Sequence, residues 1–166
     1  MYTKILVPLD GSPLAEQVLP EAVDLARAMK ARLVLLHVVD HGISPMESLA
    51  MAGAGTPGGG VAGATAAMQI HEQHEAEERA AAARVEEVAA ELAGADGPEV
   101  SSEIVEGASA DTIIAYAEAQ GCDLIVMASQ GRGGLKRAVL GSVADRVVRN
   151  TPGAAVLVVT PKAVED

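Results

Sequence analysis

The chain has 166 residues, of which 49% are hydrophobic and 1% aromatic, and its formal net charge at pH 7 is −11. This length suits a single domain around one hydrophobic core. The scarcity of aromatic rings argues against a stacking surface for single-stranded nucleic acid, and the negative charge argues against binding to nucleic acids or anionic membranes in general. We therefore expect neither nucleic acid nor membrane as a partner.

Cysteine usage and the first residues bear on the cellular compartment. Cys122 is the only cysteine, so an intrachain disulfide cannot form and a reducing compartment is expected. Residues 1–4 lead directly into an apolar run, so we expect no signal peptide, and no apolar run is long enough to cross a bilayer. We therefore expect a cytoplasmic protein in which Cys122 is a buried, inert thiol.

Short apolar runs alternate with helical patterns along the chain. The predicted strands are residues 4–9, 32–39, 99–106, 123–128 and 155–160. The predicted helices are residues 13–29, 65–92, 109–119 and 143–150. Ser12 is the expected N-cap of the first helix, with Pro13 as its first residue, and Ser109 is expected to cap the third. Strands that alternate with helices indicate a parallel sheet covered by helices on both faces.

Residues 40–66 differ from the rest of the chain because glycine, alanine and other small residues dominate them. Such a composition does not supply the apolar side chains that an element of the core needs. We predict a flexible glycine-rich insert of about these residues, within a single domain that covers residues 1–166.

The long helix after this insert has two predicted faces. Val85, Val88 and Leu92 have helical spacing and form the expected apolar stripe. The glutamates between residues 72 and 78 are expected to form a face that lies in solvent.

The four histidines do not have the spacing of a metal site. His71 and His74 fall on one side of the predicted helix, but their neighbours are glutamates and no further ligand follows at zinc spacing. We expect them to be surface residues. His37 lies inside the second apolar run and is expected to be a hydrogen-bonded core residue.

The segment after the fourth predicted strand has the composition of an anion site. Its glycines permit backbone N–H groups to approach a phosphate, and Gly141-Ser142 opens a helix whose free N–H groups attract anions. Asp145 is its only acid, although five of the chain's 12 basic residues lie there: Arg132, Lys136, Arg137, Arg146 and Arg149. This basic island in an acidic chain indicates a small polyanionic ligand.

Structural alternatives exist for several of these residues. Ser142 and Asp145 have the spacing of a capping box, in which Ser142 would be the N-cap of the last helix. Asp10, in the turn after the first strand, either contacts a ligand or caps that turn. The strings of a Walker A loop and of a Rossmann dinucleotide site do not occur, which excludes a P-loop NTPase and an ordinary dinucleotide-dependent dehydrogenase.

The spacing of the glycines resembles that of the ATP-binding branch of the universal stress protein family, which carries G-x2-G-x9-G-[S/T] after its fourth strand. The matching string here is Ala128-x2-Gly131-x9-Gly141-Ser142, in which Ala128 stands in place of the first glycine. Residues 5–12, 35–40 and 154–159 also resemble the first, second and last strands of the family. The resemblance therefore covers the whole chain.

The resemblance implies an open five-stranded parallel sheet of the Rossmann-like, adenine nucleotide alpha hydrolase-like type. It also implies ATP as the cofactor, with or without Mg²⁺, although AMP and cyclic AMP remain open as ligands. Adenine would lie near Asp10 and Val38, and the phosphates near the glycine-rich segment. The residues implied in nucleotide binding are Pro8, Leu9, Asp10, Val38, Met127, Ala128, Gly131, Arg132, Gly133, Gly141, Ser142 and Val143.

These implications favour a stress-response regulator that binds ATP over an enzyme that turns it over, because the phosphate segment has no evident catalytic base or nucleophile. Two alternatives stay open. One is a slow ATPase or self-phosphorylating enzyme in which Asp10 orients the nucleophile, and the other is a dimeric interaction module that binds no nucleotide. The resemblance also implies a homodimer that pairs through residues 156–159, an apolar strand at the edge of the sheet.

Overall fold

A computed structural model describes residues 1–40, 60–94, 97–130 and 140–160 of the chain. The strands are β1 (Lys4–Pro8), β2 (Arg32–Val39), β3 (Val100–Glu106), β4 (Leu124–Ala128) and β5 (Ala155–Val159). The helices are α1 (Pro13–Glu16), α2 (Leu19–Met29), α3 (Gly60–Leu92), α4 (Ser109–Ala119) and α5 (Ser142–Asn150). All strand pairs of this part of the chain are parallel, and their order is β3-β2-β1-β4-β5.

Alternate residues of the central strands pack against helices on opposite faces of the sheet. In β1, Ile5 and Val7 belong to the core beneath α1, α2 and α3, whereas Leu6 belongs to the core beneath α4 and α5. All three side chains are fully buried, and so are Leu33 and Leu35 of β2. The predicted five-stranded parallel sheet with helices on both faces is therefore confirmed.

The strand order creates a crevice at the carboxyl end of the sheet. The chain proceeds from β1 to β2 and β3 on one side, and then returns to add β4 and β5 on the other. Ile5 of β1 consequently pairs with both Leu33 of β2 and Leu124 of β4. Where the direction of winding reverses in this way, the connections diverge and leave room for a ligand between them.

The predicted first helix, residues 13–29, is in fact two helices. Pro20 lies in the first turn of α2 and has no N–H to donate to the carbonyl of Glu16, so a continuous helix cannot form through it. The start of α1 was predicted correctly, because the Ser12 hydroxyl accepts a hydrogen bond from Ala15 N–H at 3.2 Å.

Two other helix starts differ from their predictions. Ser109 is the first residue of α4 rather than its cap, because Gly107 turns the chain with a φ of 148° and places the extended Ala108 in the N-cap position. Helix α3 begins at Gly60, so the last part of the predicted insert is helical, which the high helix propensity of its alanines favours. Residues 41–59 of the insert lie outside the described residues.

Helix α3 has 33 residues and is therefore about 50 Å long. The predicted apolar stripe is confirmed: Val85 and Val88 are buried, and Leu92 packs partly against the same core. On the outer side, the guanidinium of Arg84 donates to both carboxylate oxygens of Glu16, at 2.9 and 3.0 Å. These contacts join α3 to α1 and to the sheet.

Asp123 ties the start of β1 to the start of β4, which begins one residue after it. Its carboxylate accepts from Thr3 N–H at 2.8 Å, from the Thr3 hydroxyl at 2.8 Å and from Lys4 N–H at 3.1 Å. Partial burial opposes ionisation, but these hydrogen bonds outweigh it and hold the pKa of the Asp123 carboxyl below its ordinary value.

We predict that Asp123→Asn lowers the free energy of unfolding at neutral pH by about 1–2 kcal/mol, because a charged acceptor is lost. The folded-state pKa lies below the unfolded-state pKa, so the stabilisation is present above the unfolded-state value and is lost as the pH falls through the folded-state value. Urea unfolding of both proteins should therefore show a large difference at neutral pH and a small one in acid. Asp24→Asn, at an exposed position of α2, is the control, and a difference for Asp123→Asn that is independent of pH would contradict the assignment.

Candidate functional site

A cavity of about 500 Å³ opens at the carboxyl ends of β1, β2 and β4, where the direction of winding reverses. It is the position at which open parallel sheets bind their ligands. Its wall comes from segments that are far apart in the sequence: residues 8–10, 15, 36–38, 40, 78, 109, 113, 127–130 and 140–144.

A larger groove, of about 830 Å³, lies at the opposite end of the sheet. The two arginines of this groove have structural roles: Arg32 pairs with Glu99 at 2.8 Å, and Arg27 lies in the last turn of α2, where its charge complements the helix dipole. The amino ends of parallel strands offer no converging helix N-termini. The smaller cavity is therefore the candidate site.

Nine of the twelve residues that were predicted to bind the nucleotide line this cavity: Pro8, Leu9, Asp10, Val38, Met127, Ala128, Gly141, Ser142 and Val143. The other three, Gly131, Arg132 and Gly133, lie outside the described residues. The fold thus brings the ends of three strands and the start of α5 around one space.

Asp10 holds the turn between β1 and α1. Its Oδ1 accepts from Ser12 N–H at 2.9 Å and from the Ser12 hydroxyl at 2.6 Å, so the predicted capping role is present. Asp10 also lines the cavity. The next residue, Gly11, has a φ of +76° and lies so close to α3 that a Cβ would be 2.6 Å from the Cβ of Ala81, so only glycine fits there.

The start of α5 has no side-chain cap. Gly141 is its N-cap and Ser142 is already helical, so the structural alternative of a capping box formed by Ser142 and Asp145 does not hold. Gly141 N–H donates to Ser129 O at 2.7 Å, which fixes the end of β4 against the start of the helix. The first backbone N–H groups of a helix have no acceptor within it, and here they adjoin the cavity.

Two members of the predicted basic island do not reach the cavity. Arg146 donates to Asp111 at 2.8 Å, and Arg149 donates to Asp145 at 2.8 Å. Neither arginine lines the cavity. Both are instead exposed ion pairs on the surface of α4 and α5, and Arg149 also suits the dipole of α5.

Glu78 was predicted to lie on the solvated face of α3, but it is 7% exposed and lines the cavity. It is bound to His37, whose Nε2 lies 3.0 Å from Glu78 Oε2 and whose Nδ1 lies 2.9 Å from Leu9 O. His37 is 1% exposed, so its prediction as a hydrogen-bonded core residue is confirmed. The prediction for Glu78 failed because the face of α3 that touches the sheet extends one turn further than its apolar residues do.

His71 and His74, which were expected to be surface residues rather than metal ligands, each contact one neighbouring group. His71 Nε2 lies 3.2 Å from Glu75 Oε1, and His74 Nε2 lies 2.6 Å from Asp40 O. Within the described ranges, no group of three or more His, Cys, Asp and Glu side chains could hold a metal ion.

Cys122 is buried as predicted, and this burial raises the pKa of its thiol. Among the helices of the same ranges, none is long and apolar enough to cross a membrane.

Comparison with known proteins relates this arrangement to a family. The sequence profile of the universal stress protein family matches residues 1–160. Universal stress protein MJ0531 of Methanocaldococcus jannaschii is 32% identical over 162 residues, which cover 98% of this chain and 85% of that protein.

Solved structures of the family have the same fold. Universal stress protein UspA from Lactobacillus plantarum superposes with a TM-score of 0.65 at 28% identity, over 95% of this chain and 97% of that one. A universal stress protein in complex with cAMP superposes with a TM-score of 0.55 at 21% identity, over 96% and 97% of the two chains. Since the profile spans almost the whole sequence and the fold agrees, the chain belongs to the universal stress protein family.

Proposed function

We propose that the chain is a stress protein of the ATP-binding branch, and that it holds ATP, with or without Mg²⁺, in the cavity at the carboxyl ends of β1, β2 and β4. The observation that carries the proposal is the convergence of nine of its predicted nucleotide-binding residues on one cavity. Further phosphate contacts are proposed at Gly131, Arg132 and Gly133 of the glycine-rich segment. A protein with the same fold was solved in complex with cAMP, which is also an adenine nucleotide.

The adenine end of the proposed site is the edge of β2. Leu36 O accepts from Leu9 N–H, so the backbone groups of Leu36 point towards β1. Alternate residues of a strand present their backbone groups to the same side, and those of Val38 therefore point past the end of β1 into the cavity. The Val38 N–H can donate to adenine N1, and its C=O can accept from the 6-amino group. The aliphatic side chains of Leu9 and Ile113 provide apolar contact for the ring.

The phosphate end of the proposed site is the start of α5. Gly141, Ser142 and Val143 line the cavity there, at the positive end of the helix dipole. The described wall also contains carboxylates, including Asp10 and Asp40, which repel phosphate. This repulsion is the reason to include Mg²⁺ and the basic residues of the segment 131–139 in the proposal.

Binding without rapid turnover is the proposed mode of action. Two carboxylates of the cavity wall hold structural hydrogen bonds: Asp10 accepts from Ser12, and Glu78 is bound to His37. Neither is placed as a base that activates water, which a dedicated ATPase requires.

The proposed location is the cytoplasm, where the unpaired, buried Cys122 would stay reduced.

The proposed protein is a homodimer that pairs through β5. This strand lies at the edge of the sheet, and its Leu157 is 37% exposed. An apolar edge strand is a template for pairing with another chain, and a second copy of β5 would cover it. Val158 instead packs partly into the core beneath α4 and α5, so a substitution there would disturb the fold as well as the edge.

Ser142→Asp tests the phosphate end. A carboxylate at the first position of α5 is favourable for the helix but repels phosphate, so we predict that ATP affinity falls at least about tenfold while adenosine affinity and thermal stability do not fall. Calorimetry with ATP and Mg²⁺ should give a dissociation constant below about 100 μM for the wild type. Ser142→Ala, which introduces no charge, is the matched control. Equal loss of ATP and adenosine binding would contradict the placement of the phosphates, and a wild type without affinity for any adenine nucleotide would leave the dimeric interaction module as the function.

Steady-state phosphate release distinguishes a regulator from an enzyme. We predict that the wild type releases phosphate far more slowly than the roughly 1–100 s⁻¹ of dedicated phosphotransfer enzymes, because Asp10 and Glu78, among the described residues of the wall, are held in structural hydrogen bonds. Asp10→Ala is the comparison. Fast release that disappears in this variant would make the protein an ATPase in which Asp10 orients the attacking water.

Leu157→Glu tests the dimer. A charge on the exposed side of β5 should shift the mass measured by light scattering from dimer to monomer, because two like charges would meet across the paired strands. Val148→Glu, at an exposed apolar position of α5 that is 45% exposed, is the control and should leave the mass unchanged. A wild type that is monomeric at high micromolar concentration would refute pairing through β5.

A further inference from the structure

The hydrogen-bond ladder between β1 and β2 stops where the cavity begins. Its last bond runs from Leu9 N–H to Leu36 O, at 2.8 Å. In a parallel ladder the next bond would run from Val38 N–H to Leu9 O. Both residues are described, and this bond does not form between them. The Val38 N–H is therefore left on the cavity side of β2.

The Leu9 carbonyl has a different partner, the imidazole of His37. Nδ1 of His37 lies 2.9 Å from Leu9 O. A carbonyl oxygen only accepts, so Nδ1 carries the hydrogen of this bond. The His37 side chain thus holds the carbonyl oxygen that the Val38 N–H would meet in a continued ladder, and it holds it where that second bond does not form.

The orientation of the His37 ring depends on Glu78. Nε2 of His37 lies 3.0 Å from Glu78 Oε2, and both residues are almost completely buried, with exposures of 1% and 7%. With Nδ1 protonated, a hydrogen between Nε2 and the carboxylate completes the pair, whichever of the two groups carries it. Rotation of the ring would break both bonds inside the protein, where lost hydrogen bonds are expensive.

We propose that His37, oriented by Glu78, is a positioning residue for adenine recognition. By holding the Leu9 carbonyl oxygen away from the Val38 N–H, it stops the ladder one step early and keeps that N–H available to a ligand acceptor such as adenine N1. This inference rests on the proposed adenine site and names a determinant of its base specificity. Because Glu78 belongs to α3, the adenine edge of the cavity also depends on the packing of α3 against the sheet.

The first test needs no nucleotide. The double variant His37→Val with Glu78→Leu removes the ring without leaving a buried carboxylate unpaired. Val38 N–H should then bond to Leu9 O, and its hydrogen exchange, measured by NMR, should become about fivefold to tenfold slower than in the wild type, as one added hydrogen bond implies. A second double variant, His37→Asn with Glu78→Leu, also leaves no buried carboxylate unpaired, and because its Asn Nδ2 can replace Nδ1 as donor to Leu9 O, it should keep the exchange of the wild type. Glu86→Leu, at an exposed position of the same helix, is the control.

The second test uses base specificity. ITP presents an N1–H donor where ATP presents an acceptor, so the wild type should prefer ATP by at least about tenfold. The double variant with Val at position 37 should lose this preference, and the double variant with Asn there should retain it. A purely structural role for His37 would weaken ATP and ITP binding alike and leave the Val38 exchange unchanged, and this result would overturn the inference. If the wild type binds neither nucleotide, the proposed function fails, and the Val38 exchange still decides whether His37 interrupts the ladder.

Discussion

The close approach of helix α3 to the turn after β1 is the constraint on which the cavity depends. Gly11 lies against Ala81 with no room for a Cβ, so the turn after β1 passes directly beside α3. One turn earlier on the same helix, Glu78 reaches His37 and fixes the Leu9 carbonyl. One turn later, Arg84 binds Glu16 of α1. Three successive turns of α3 thus hold the Leu9 carbonyl, the turn after β1 and helix α1 in place beside the open edge of β2.

Most of the fold could be predicted because aliphatic runs and helical periodicity are local properties of the sequence. The alternation of Leu33 and Leu35 with residues of the other face, for instance, already indicates a strand buried on both sides. The errors fell at helix starts, where a single backbone group decides the outcome. Pro20 divides the first helix, and Gly107 and Gly141 shift the caps away from Ser109 and Ser142. The single domain and its flexible insert stay predictions.

The candidate site was predicted where it consists of residues near strand ends, and it was missed where α3 contributes to it. In the sequence, Glu78 follows several other glutamates, and such a cluster is typical of a helix face in solvent. The heptad spacing of Val85 and Val88 carries a signal, because its continuation to Ala81 and Glu78 marks the same face of the helix. Even so, the pairing of Glu78 with His37 depends on how α3 crosses β2, and the sequence of neither element specifies that crossing.

An NMR titration of the wild-type protein with ATP and Mg²⁺ decides most directly whether the cavity at the carboxyl ends of the strands is the nucleotide site. The largest changes in amide chemical shift should occur at Val38, at the adenine edge, and at Ser142 and Val143, at the start of α5. Saturating changes confined to Lys30 and Arg32, in the larger groove at the other end of the sheet, would contradict the assignment.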